Sequence, residues 1–226
     1  LQINPAFEAE ELERFAQADP WVLSVLPSFV TMLRRSLAED GHRVFIHHTD
    51  LTAVLRWIAL GTLLLDSSSA TQLTFRAFHS NPWHGPFKVV GIHPDLLELS
   101  PAEWRATPSA SWIDPQALTI SEMEASPLAT ASVQWLVEHG IFEAMGAIQL
   151  AADLGSVLEP ELAVQAADLI TFGTGSLSGR EAWDLASRAL AALAVAGETE
   201  QIESNADEFL DALVSYRPSG EGEFAR

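Results

Sequence analysis

Cysteine is absent from the 226 residues. That excludes disulfides and thiolate metal sites, and a reducing cytoplasm is the simplest setting. Lysine is nearly absent too: Lys88 stands alone beside eleven arginines, which fits a GC-rich coding bias better than a chemical need. Long apolar runs are lacking. The longest, 57–65, is too short to span a bilayer and is flanked by Arg56 and Asp66. No leader segment is visible, but the chain opens on Leu1, so it is read as a fragment of a larger protein. Positive charge is scarce: 12 Lys and Arg face 31 Asp and Glu, a net charge of −19. Such a charge repels phosphate backbones and anionic lipid heads, so neither nucleic acid nor a membrane is expected as a partner.

What is present is apolar. Hydrophobic residues make up 48% of the chain, which excludes a disordered polyanion. The length suits one large domain or two small ones. The acidity is uneven: residues 51–95 hold only Asp66 and Asp95 against Arg56, Arg76 and Lys88. This near-neutral stretch is expected to be the most buried.

The N-terminal residues read as two helices. Asn4 and Pro5 open the first, and Asp19 and Pro20 the second, as cap and first-turn residues. Pro27 should kink the second helix or delay its start. "HRVFIHH" then reads as a buried strand, with Asp50 or Thr49 capping the helix that follows. That helix, "LTAVLRWIALGTLLL", is apolar on almost every face, which predicts burial on more than one side. "LTFRAFH" and "FKVVGIH" read as two further strands, and "SNPWHGP" between them is too long for a tight hairpin turn. From 96 to about 125 the chain reads as loop, with Ser100 and Glu103 spaced as a capping box. The remainder is helical: Val133, Leu136, Val137, Ile141, Ala144 and Ile148 keep helical spacing, as do Leu185, Ala189 and Leu193, and then Ile202, Phe209 and Leu213. Ser178 and Glu181 form a second capping box.

The expected fold class is therefore α+β, a small β-α-β-β core flanked by N-terminal helices and a C-terminal helical region. Its parts are 1–41, N-terminal helices; 42–125, the core with a loop-rich extension; and 126–226, the helical region.

Six of the seven histidines fall between 42 and 93. Strand ends meet in a β-α-β-β unit, so "HHTD", "HSNPWH" and "HPD" could converge. Imidazoles and carboxylates suit zinc or iron, and His48, Asp50 and His93 are the candidate ligands of a metal-dependent hydrolase. Against this, extended backbone puts His47 and His48 on opposite faces, Asp50 suits a helix cap, and no spacing matches a known metal signature. "FGTGSLSGRE" lacks the Lys and the Ser or Thr of a phosphate loop, and Ser178 stands where a dinucleotide loop needs glycine. It reads as a helix–helix connection. "GSLSG" has Leu177 where a nucleophile elbow has serine, and Glu122 with Glu124 reads as a solvated pair. No catalytic residue and no cofactor is assigned. Trp83, inside a polar loop, is the tryptophan expected to contact a partner.

The stretch 56–95 resembles the middle domain of the bacterial, actinobacterial GTPase-associated protein family. The resemblance rests on Trp57-Ile58 in the apolar helix, Leu64-Leu65 at its end, Ala70, Leu73-Thr74-Phe75 opening a strand, Phe78, the Asn81-Pro82 turn and Gly91. It implies a non-enzymatic scaffold or adaptor segment in a GTPase-linked signalling or conflict system, with a small GTPase or its regulators as protein partner. It supplies no active-site residues, and His47, His48, His79, His84 and His93 are not part of its pattern.

Overall fold

The computed structural model describes residues 4–96, 103, 105–175 and 177–215. Ser100 of the expected Ser100–Glu103 capping box lies outside the described residues. The chain divides into two compact units, Leu1–Gln149 and Leu150–Arg226. No helix among the described residues is long and apolar enough to cross a membrane.

The first unit begins with a short 3-10 turn, Pro5–Phe7, whose cap Asn4 accepts a bond from the Ala6 amide. Helices α1 (Ala9–Ala18) and α2 (Pro20–Ala38) follow. Asn4 thus caps the turn, and α1 starts one step later behind Glu8, which makes no side-chain cap bond. Asp19 caps α2 through the Trp21 amide. Pro27 neither ends α2 nor delays its start: the helix runs through it, and Thr31 Oγ1 donates to the Pro27 carbonyl.

The sheet is built from β1 (Arg43–His47), β2 (Phe75–Arg76), β3 (Val89–Ile92), β4 (Ala110–Asp114) and β5 (Thr119–Ile120), with α3 (Leu51–Leu63) and α4 (Ser67–Gln72) between β1 and β2. Its order is β2-β3-β1-β4-β5. The β2–β3, β3–β1 and β1–β4 pairs are parallel, and β5 closes an antiparallel hairpin on β4. The fold is mixed α/β, as the residue pattern implies, but larger by two strands. Residues 110–120, read as loop, supply β4 and β5, and β1 lies inside the sheet between β3 and β4. β2 is correspondingly reduced to two paired residues at the edge.

Register divides the sheet residues between two faces. Val44, Ile46, Val89 and Ile113 are fully buried, as are Phe45, Val90 and Ile92 on alternate positions. The second set packs with Trp83, Phe87, Ala110 and Trp112. Parallel neighbours need a crossover, and the β2–β3 connection makes one without a helix: its "SNPWHGP" loop brings Trp83 edge-on to Phe45, with ring centroids 5.0 Å apart. Arg43 holds this loop by donating to the carbonyls of Pro82 (2.6 Å) and Gly85 (2.7 Å). Trp83 is therefore half-buried and has an intramolecular packing role.

On the other face sits α3, capped by Asp50 through the Thr52 amide at 2.9 Å. Trp57 in α3 receives the edges of Phe15, Trp21 and Phe29 at 5.2–5.9 Å, which joins α1, α2 and α3 in one aromatic cluster. Two glycines permit close approach here. A Cβ on Gly61 would stand 2.5 Å from Leu33 Cδ1, and one on Gly91 only 1.6 Å from the Ala77 carbonyl oxygen. Gly91 belongs to the pattern of the family resemblance, and its role is this backbone crossing.

Helices α5 (Pro127–His139) and α6 (Ile141–Leu154) complete the region. Ser126 caps α5 and its own amide donates to Thr31 Oγ1 of α2 at 3.0 Å. Glu13 of α1 accepts from the first amide of α6 at 3.1 Å.

The second unit contains α7 (Pro160–Phe172), α8 (Gly179–Ala196), α9 (Thr199–Ser204) and α10 (Ala206–Ser215). Ser178 and Glu181 form the expected reciprocal capping box of α8. The bonds from Ser178 hold the Glu181 carboxyl below the usual range. "FGTGSLSGRE" is the connection from α7 to α8. Leu185, Ala189, Leu193 and Phe209 form the buried face of this helical group.

Candidate functional site

In parallel sheets, ligand sites favour the carboxyl ends of strands at the point where strand order reverses. Here that point is the end of β1: the chain places β2 and β3 to one side of it and β4 to the other. The residues there are His47 at the end of β1, His48, Thr49 and Asp50 just after it, His93 after β3, and Asp114 at the end of β4.

His47 and Asp114 occupy facing positions. His47 Nδ1 lies 2.9 Å from Asp114 Oδ2, and Arg105 Nη2 reaches the same oxygen at 2.5 Å. Asp114 Oδ1 accepts from the Ala117 amide at 3.0 Å, inside the β4–β5 hairpin. The carboxylate is only 4% exposed, so it is desolvated and needs the Arg105 and Ala117 donors. The guanidinium of Arg105 sits 4.6 Å from the centre of the Trp112 ring. Beside this cluster, Gln116 closes the crevice with two bonds to Thr49, one from the Thr49 amide (3.1 Å) and one to its hydroxyl (3.0 Å). The arrangement ties β1, β4 and the hairpin together with partners already paired.

The three candidate metal ligands do not gather. His48 Nδ1 accepts from the Asp50 amide at 2.8 Å, Asp50 caps α3, and His93 Nδ1 accepts from the Asp95 amide at 3.1 Å. His79 repeats the device with the Asn81 amide at 3.0 Å, and its ring lies 5.8 Å from that of His84. Each of these histidines ends a strand or starts a turn by holding the amide two residues on. His42, 3% exposed, bonds through Nε2 to Ser111 Oγ of β4 at 2.9 Å. Burial, aided by the nearby positive charge of Arg35, pushes its imidazole below the usual range despite Glu39. Among the described residues no three His, Asp or Glu side chains stand together as an ion site. The histidine-rich stretch is accounted for by strand-end and turn bonds, and the metal-dependent hydrolase gains no support from this geometry.

Sequence reasoning missed Asp114 and Arg105. The signal for Asp114 was the short run "ASWID", whose apolar positions pair with β1; Arg105 carries no local signal.

A different feature lies on the helix-bearing side. α1 and α2 cover two sides of α3, but Leu55, Ala59, Thr62 and Leu63 line an open apolar groove of about 420 Å³. Phe7, Ala9 and Leu12 form one bank and Phe75 of β2 the other.

Fold and site together define a mostly parallel α/β unit whose strand-end polar residues are spent on structure and whose open feature is an apolar groove beside an edge strand. Residues 12–106, less than half of the chain, match the family model described as GTPase-associated protein 1, middle domain. The match covers most of α1, all of α2 to α4 and β1 to β3, and the groove's α3 and β2 walls, and stops before β4. No curated protein and no solved structure matches the chain.

Proposed function

We propose that this chain is a non-enzymatic interaction segment of a larger cytoplasmic bacterial protein, acting as scaffold or adaptor in a GTPase-linked signalling or conflict system. The observation that carries this is the match of 12–106 to a GTPase-associated middle domain, which includes the α3 and β2 walls of the groove. Support comes from the way the polar cluster at the strand ends is internally paired, which leaves an apolar surface as the feature available for a partner. The acidic surface, −19 overall, favours a partner with basic character over a nucleic acid or membrane.

The test is co-expression of the tagged full-length parent with each GTPase encoded beside it. The reading expects one of them to be recovered in stoichiometric amount, dependent on the segment 12–106. Failure with every such GTPase would overturn the GTPase link.

A further inference from the structure

We draw no further inference here: the strongest candidate, the open apolar groove of about 420 Å³ bounded by α1, α3 and β2, carries nothing because nothing in the structure shows what covers it.

Discussion

Replacing Gly91 by alanine tests the packing of the sheet most directly. The added Cβ would stand 1.6 Å from the Ala77 oxygen, 2.7 Å from its carbonyl carbon and 2.8 Å from Val54 Cγ1. Ordinary contact needs more than 3.4 Å, so two backbone segments must separate by well over 1 Å. β3 cannot yield easily, because its residues pair with β1 on one side and β2 on the other. Overpacking of a core costs about 1–3 kcal/mol when side chains can adjust. Here backbone must move, and about 3 kcal/mol or more is expected. At about 2–4 °C per kcal/mol for a domain of this size, the melting temperature falls by roughly 6–12 °C. Gly61→Ala gives the internal comparison: its close contacts are the ends of Leu33 and Phe29, which can shift, so the loss should be about half as large. Tryptophan fluorescence is the assay, since six of the seven tryptophans belong to Leu1–Gln149. A melting point for Gly91→Ala within about 2 °C of the parent would refute the crossing of residues 77 and 91 as described.

Asp114→Ala removes the shared partner of His47 and Arg105; breaking a buried ion pair costs about 3–5 kcal/mol, and because Arg105 is one-third exposed about 2–3 kcal/mol is expected in urea unfolding. For His42, a folded pKa depressed by burial below the ordinary imidazole value of about 6.5 means that the unfolded chain binds the proton more readily. Its contribution is complete above pH 6.5 and is lost as pH falls towards the folded value. The resulting slope, at most about 1.4 kcal/mol per pH unit, should flatten in His42→Asn when urea midpoints are compared between pH 7.5 and 5.5. Asp50→Ala removes the α3 cap and should cost about 1 kcal/mol, with faster amide exchange in the first turn of α3; unchanged exchange at Thr52 would count against the cap.

The helix caps Asp19, Asp50 and Ser178, the helical spacing after 126, and the strands at 43–47 and 89–92 were legible in the residues. Each is specified by neighbours within a few positions, where capping chemistry and side-chain period act. β4 was not legible, because "ASWID" contains Ser111 and Asp114, polar residues made tolerable in the interior only by His42 and by His47 with Arg105. The same distance effect governs the histidines. Their clustering in sequence suggested convergence, yet local amides claim Nδ1 of His48, His79 and His93 before any distant group can.

The residue order by itself determined that α3 would be apolar all round, that Asp50 or Thr49 would cap it, and that an acidic, cysteine-free chain would bury a mixed α/β core. Only the tertiary structure decided which side of α3 stays open, because covering a helix depends on helices and strands brought together from far along the chain. It also placed Phe75 at a sheet edge, where backbone pairing and an apolar groove coincide. Periodicity assigns a face to each side chain; the topology of the sheet determines whether anything covers that face.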